Sequence, residues 1–338
     1  MQNRVYLNHV ECIRAFAALA VGIYHFTNFS AEGIFLLNNE ATRGIFVYGA
    51  QGVEIFYIIS GFIIPYSLYK SSYRIKNYLQ YISKRSIRLL PPYFLTIALI
   101  IGVSYYTNTY IWPVGYNIEW RNIGANAFFL VDFIQSNADL LAHFPDNGWI
   151  NPVFQTLKVE FQFYIIIGLL IPLFKKHTIY LIGISALLLA IGAYTIPENT
   201  VFVNAPYFLL GLAAFYIFEN GWNWTYAGLL ILCLLSLFNF YVWQDLFAGI
   251  IGFAMVLWLP KKMKFLKFTG KISYSFYLIH GLIGGKFLYF FRESSLFQDY
   301  PFLMVIFALL LSWIGAYLIY FCIEKPSIRI SKKIRYKS

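Results

Sequence analysis

Arg14 and His25 stand eleven residues apart in an otherwise apolar run, "ECIRAFAALAVGIYHF" (residues 11–26). At 3.6 residues per turn this spacing is just over three turns. The guanidinium and the imidazole therefore share one helix face, about 16.5 Å apart along the axis. Glu11, one turn before Arg14, can pair with it at i,i+3. A guanidinium holds anions and an imidazole exchanges protons near neutral pH. Ionisable groups inside a membrane span are costly and usually face a protein interior or a polar pathway. The plainer reading is a Glu11–Arg14 pair snorkelling to the headgroups, with His25 hydrogen-bonded to a neighbouring helix.

Other apolar segments carry similar exceptions. "AQGVEIFYIISGFII" (50–64) holds Glu54 and the small pair Ser60-Gly61, which suits close packing or access to the backbone. "QTLKVEFQFY" (155–164) supplies Lys158, Glu160 and Gln162. Lys158 and Gln162 share a face at i,i+4, while Glu160 points elsewhere. Glu54, Glu160 and His25 fall at one level near one end of their spans, which suggests a shared polar pocket; ordinary interfacial polarity is the simpler alternative. "GKISYSFYLIHGLIGG" (270–285) repeats Ser273, Tyr277 and His280 along one stripe. His280 reads first as a helix–helix hydrogen bond and second as a catalytic group. In "YISKRSIRLLPPYF" (81–94), Lys84, Arg85 and Arg88 form a basic loop before the next span, whose start Pro91-Pro92 would break or bend. Arg85 and Arg88, one turn apart, could clamp phosphates, although positively charged loops at an inner membrane surface are the default.

Segments that position these residues are membrane spans. The 338 residues are 59% hydrophobic and 12% charged, with a mean hydropathy of +0.62, against about 25% charged residues in average soluble domains. The expected fold is all-α: a polytopic transmembrane bundle of ten spans, near 10–29, 46–69, 89–107, 155–174, 178–196, 201–218, 223–241, 245–259, 272–291 and 302–323. The apolar stretch 122–134 is short for a crossing and reads as re-entrant or interfacial. With the N-terminus inside, all but six of the 26 basic residues lie on the inner side; the exceptions are Arg14, Arg43, Arg121, Lys158, Lys286 and Arg292. This asymmetry places both termini in the cytoplasm. It also accounts for the net charge of +11 without nucleic acid. Residues 1–338 read as one membrane domain with no appended soluble domain, and the first apolar stretch reads as a retained helix. Cys12, Cys233 and Cys322 suggest neither disulfides nor a metal site. No metal and no tightly bound cofactor are expected.

Six segments, in order from residue 11 to 330, together resemble the acyltransferase 3 family of integral-membrane acyltransferases. Arg14 and His25 match its Arg–ten residues–His signature, with Glu11 as the preceding acid. "GVEIFYIISGFII" is similar to its Gly-Val-Asp-aromatic-Ser-Gly segment, with Glu54 in place of the commoner aspartate. "RSIRLLPPY" resembles its Arg-x-x-Arg followed by proline, and "TLKVEFQFY" its Ser-Leu-x-x-Glu-x-x-Phe-Tyr. "ISYSFYLIH" resembles Ser-Tyr-x-x-Tyr-Leu-x-His, and "IEKPSIRI" the closing acidic-x-proline. Gln155 departs from the family, which often has tryptophan there. No segment of residues 1–338 reads as the esterase-like domain that some members append.

The resemblance implies O-acylation, usually O-acetylation, of an extracytoplasmic glycan or envelope molecule in a bacterial plasma membrane, with cytoplasmic acyl-coenzyme A, chiefly acetyl-CoA, as donor. Arg85, Arg88 and Lys84, with Arg14, would hold the donor's phosphates. His25 would act as general base or be acylated and relay the group, with Glu160 or Glu54 orienting the imidazole or stabilising its cation. Glu11, Ser60, Tyr164, Ser273, Tyr277 and His280 are further candidates. Trp112, Trp120, Arg121, His143, Asp146 and Trp149 could contact a sugar acceptor or serve as interfacial anchors. A transporter or flippase for a lipid-linked sugar or small metabolite would also bury Glu, Arg and His along a pathway. It differs in moving its substrate unchanged, without thioester chemistry.

Overall fold

The computed structural model describes residues 8–28, 44–71, 73–110, 120–131, 150–177, 179–194, 200–260 and 266–336, which form helices and connecting turns with no strand among them. Helices are what such apolar segments must form in lipid, because each backbone N–H and C=O then finds its partner within the segment. In chain order they are α1 (Asn8–Thr27), α2 (Gly52–Tyr69), α3 (Tyr78–Tyr110), α4 (Trp120–Ala127), α5 (Val153–Lys176), α6 (Ile179–Tyr194), α7 (Ala205–Asn220), α8 (Trp224–Phe240), α9 (Trp243–Trp258), α10 (Lys267–His280), α11 (Lys286–Phe291), α12 (Ser295–Asp299), α13 (Pro301–Ile319) and α14 (Lys325–Lys333). Wide π turns join α10 to α11 (Gly281–Gly285) and α13 to α14 (Tyr320–Glu324). A helical segment overlies each of the ten expected spans. Among the described residues, five segments are long and apolar enough to cross a membrane by themselves: Asn8–Thr27, Gly44–Tyr69, Ile75–Tyr106, Val153–Lys176 and Pro301–Lys333.

The bundle is inverted relative to a soluble protein. Ile231, Leu235 and Phe238 on α8 and Ile306, Leu310 and Ile314 on α13 are exposed, whereas Ser273, Ser275, His280, Ser312 and Glu324 are buried. Apolar faces this continuous belong against lipid. At the centre lies α7, buried at every position from Ala205 to Ile217, as expected for a helix that is hydrophobic all round. It packs against α2 at backbone distance. A Cβ on Gly61 would stand 2.1 Å from the Phe208 carbonyl oxygen, and one on Gly211 the same distance from that of Ile58. Gly61 therefore provides the close packing anticipated for the small pair, while Ser60 turns its hydroxyl toward α5.

A second close approach joins α1 to α10, where a Cβ on Gly270 would lie 1.8 Å from the Glu11 carbonyl oxygen. This contact fixes the register between the two helices that carry most of the site.

Two local expectations change. Residues 81–94 are not a loop: α3 runs unbroken from Tyr78 through Pro91 and Pro92 to Tyr110. Membrane helices commonly tolerate proline, and side-chain hydroxyls bond to backbone carbonyls on either side of this pair. Tyr274 donates its hydroxyl to the Leu89 carbonyl at 2.8 Å, and Thr96 donates to that of Pro92 at 2.8 Å. Lys84, Arg85 and Arg88 consequently sit on a rigid helix. In the stretch 122–134, α4 has eight residues, about 12 Å of helix and too short to cross. It docks by buried Asn122 and Asn126, and the Asn126 carbonyl accepts from Tyr93 at 2.6 Å. Residues 132–134 lie outside the described residues.

Candidate active site

Arginines gather at one end of the α1–α10 interface. Arg14 Nε donates to Ser273 Oγ at 3.2 Å, so Arg14 turns to α10; among the described residues no ion pair joins it to Glu11. Arg14 and Arg85 are both charge neighbours of Arg88, as are Glu324 and Tyr164. Arg85 lies over the rings of Tyr81 and Tyr164, 5.7 and 5.5 Å from their centroids. Its buried Nε has no acceptor. Glu324, the last residue of the second π turn, accepts from Ser275 Oγ at 2.6 Å. Glu324 is a charge neighbour of Arg88 and Arg14, Glu160 reaches the Arg85 side of the cluster only through Tyr164, and the Arg85 Nε donor stays unmet. Such a site asks for an anion, and phosphate matches guanidinium geometry. Lys84 stands to one side, its Nζ 5.4 Å from the centre of the Tyr336 ring.

At the other end of the same interface, His25 meets His280. His25 Nδ1 and His280 Nε2 are 2.6 Å apart, and the ring planes lie within 7° of parallel. His280 Nδ1 is 2.9 Å from the Tyr277 carbonyl oxygen and 3.2 Å from that of Phe276.

Between these ends lies a polar seam. Glu160 Oε1 accepts from Ser60 Oγ at 2.7 Å and also from the Tyr164 hydroxyl. Tyr164 in turn lies against Arg85. Tyr277 and Thr156 share a hydroxyl hydrogen bond at 2.7 Å, and the Tyr277 hydroxyl has both Glu54 and Glu160 as charge neighbours. His25, Glu54 and Glu160, expected at one level, are thereby linked through Tyr277. Its side chain faces the carboxylates while its carbonyl holds the ring that meets His25. Among the described residues, neither Glu54 nor Glu160 bonds to His25. Glu54 Oε2 is buried without a hydrogen bond. Arg14, Ser273, Tyr164 and Arg85 at one end, and His25 with His280 at the other, are therefore stations along one route through a helix bundle.

The profile of the acyltransferase domain family matches residues 7–321. The chain belongs to that family. O-acetyltransferase OatA from Staphylococcus aureus is a partial relative: the proteins of strains NCTC 8325 / PS 47 and COL are each 28% identical over 178 residues, covering 51% of this chain and 26% of the relative. The match thus spans about a quarter of the length of these relatives. No solved structure matches.

Within this acyltransferase domain the structure divides the Ser273–Tyr277–His280 stripe. Ser273 and His280 face α1, whereas Tyr277 reaches α5. The Gln162 side chain accepts from the Val201 amide at 3.0 Å, and Lys158 is buried. Trp120 and Arg121 are exposed on α4; Trp112, His143, Asp146 and Trp149 lie outside the described residues. Sequence reading left two contributors unnamed, Glu324 and Ser275. Glu324 was quoted only as the acid of the closing acidic-x-proline segment, with no role attached to it. Ser275 lies off the stripe and acquires meaning only when the second π turn brings Glu324 to it.

Proposed function

We propose that the chain is a multi-pass O-acyltransferase. It moves an acyl group, chiefly acetyl, from cytoplasmic acyl-CoA to a hydroxyl of an extracytoplasmic glycan or envelope molecule. The observation carrying this reading is the placement of the arginine cluster and the imidazole pair at opposite ends of one α1–α10 interface. Ten crossings with both termini in the cytoplasm, the arrangement favoured by the distribution of basic residues, put the arginines on the donor side.

Arg85, Arg88 and Arg14 hold the donor's phosphates, with the unmet Arg85 Nε supplying a hydrogen bond. The pantetheine arm then follows the seam, and the thioester carbonyl arrives beside His25. As general base, His25 takes the proton of the acceptor hydroxyl, a weak nucleophile without such help; as an acyl carrier, it would take the group first. Ser60, Glu160 and Tyr164 form a fixed hydrogen-bonded wall that lets a polar arm pass.

The test uses membranes from cells making the native glycan, supplied with acetyl-CoA labelled on the acetyl group. Wild type should label the glycan, and His25→Ala at matched protein level should lose at least about 100-fold of that rate. Equal labelling by both proteins overturns the role of His25. A wild type that transfers no label, yet carries a lipid-linked sugar unchanged across vesicles, overturns the acyl-transfer reading.

A further inference from the structure

His280 is more than a packing neighbour of His25. Its Nδ1 faces two carbonyl oxygens, those of Tyr277 at 2.9 Å and Phe276 at 3.2 Å. Carbonyl oxygens only accept, so Nδ1 must carry a proton. In a neutral imidazole the other nitrogen then bears a lone pair. That nitrogen, His280 Nε2, lies 2.6 Å from His25 Nδ1. Two lone pairs cannot face each other at this distance, so His25 Nδ1 carries the proton and donates it.

We propose that His280 is the positioning residue for His25, fixing the tautomer that leaves the lone pair on His25 Nε2 and making that nitrogen the reacting atom. The inference rests on the acyl-transfer reading and deepens it. His280 Nε2 on His25 Nδ1 does the orienting work that a carboxylate commonly does for an imidazole. The helices enforce it. Phe276 stacks on His280 with ring centroids 5.6 Å apart, Phe26 contacts the same ring at 5.9 Å, and Gly22 lets the Phe276 ring lie against α1. His280 is buried, which holds it in one orientation.

The proton path closes. As the acceptor oxygen bonds to the thioester carbonyl carbon, its proton passes to His25 Nε2, and the Nδ1 proton shifts toward His280 Nε2. The resulting cation is stabilised by the Tyr277 and Phe276 carbonyl oxygens. When the carbon–sulfur bond breaks, the leaving thiolate takes a proton from His25 Nε2 and the pair returns to its starting state. If His25 instead carries the acyl group, the same nitrogen is the nucleophile.

Two measurements test this on the full chain. In protein labelled with ¹⁵N-histidine and held in lipid nanodiscs, NMR should show His25 protonated on Nδ1 and His280 on Nδ1. His280→Leu should let the His25 tautomers mix. A resting His25 protonated on Nε2, or a His280 carrying both protons, overturns the proposal. In the acetyl-transfer assay, His280→Leu should lower kcat about 100-fold with the donor KM within about twofold, and a shifted pH profile. His280→Gln, whose Oε1 can accept from His25 Nδ1, should stay within about tenfold of wild type. Equal rates for the Leu and Gln variants overturn the positioning role. Expected tautomers in a wild type that transfers nothing from acetyl-CoA uphold the geometry and overturn the acyl-transfer reading.

Discussion

Arg85 and His280 show how far single residues were legible. Arg85 stood out through its spacing from Arg88, but its significance comes from three dimensions. Its guanidinium lies on Tyr81 and Tyr164, and its Nε meets no acceptor. Charge-assisted hydrogen bonds contribute about 1.5–3 kcal/mol, so Arg85→Ala should raise the KM for acetyl-CoA roughly tenfold or more while kcat changes less. Arg85→Lys should rescue this poorly, because an ammonium offers neither the planar fork nor the stacking surface. Initial rates across donor concentration check this, and an unchanged KM would sink the clamp. His280 was read first as a helix–helix hydrogen bond, which the structure shows, but the sequence did not name its partner. It lies 255 positions from its partner, and no local pattern reports a pairing across that separation.

Helix spacing was the most readable signal in this chain, and helix ends the least. Arg14, His25, Ser273 and His280 were identified from periodicity alone, and α1 and α10 present them to each other as that periodicity requires. The proline pair misled because Pro91-Pro92 ordinarily interrupts a helix, while here the segment is held by long-range packing that includes the Tyr274 hydroxyl on the Leu89 carbonyl, nearly 200 positions away. The α2–α7 crossing offers a stability test. Gly61→Ala would drive a methyl into the Phe208 carbonyl. The helices must separate, at a cost of about 1–3 kcal/mol or more. Gly102→Ala on α3 meets nothing within 4 Å and should not lower stability, since alanine favours a helix interior over glycine. Thermal unfolding in detergent distinguishes them; equal midpoints would refute the close approach as a constraint.

At the scale of the whole molecule, composition alone announced a membrane bundle. The structure adds the inversion of its surfaces, with apolar side chains outward and a polar seam within. Sidedness rests on the distribution of basic residues and is open to direct measurement. In a variant lacking Cys12, Cys233 and Cys322, a membrane-impermeant maleimide applied to intact cells should label Arg292→Cys and leave Lys333→Cys unlabelled until the membrane is opened. The reverse pattern would turn the bundle over and put the arginines on the wrong side for a cytoplasmic donor.

The two π turns give the chain an uneven tolerance to changes in length. A π turn holds one residue more than an α-helical turn, so shortening Gly281–Gly285 by one can restore regular helix while the flanking segments keep their facing. Within Lys267–His280 there is no such slack. Each residue there advances the helix by about 100°, and one deletion between Ser273 and His280 would carry the imidazole a quarter-turn or more away from α1. Relatives that differ in length should therefore gain or lose residues in the wide turns and keep the count between Ser273 and His280 unchanged.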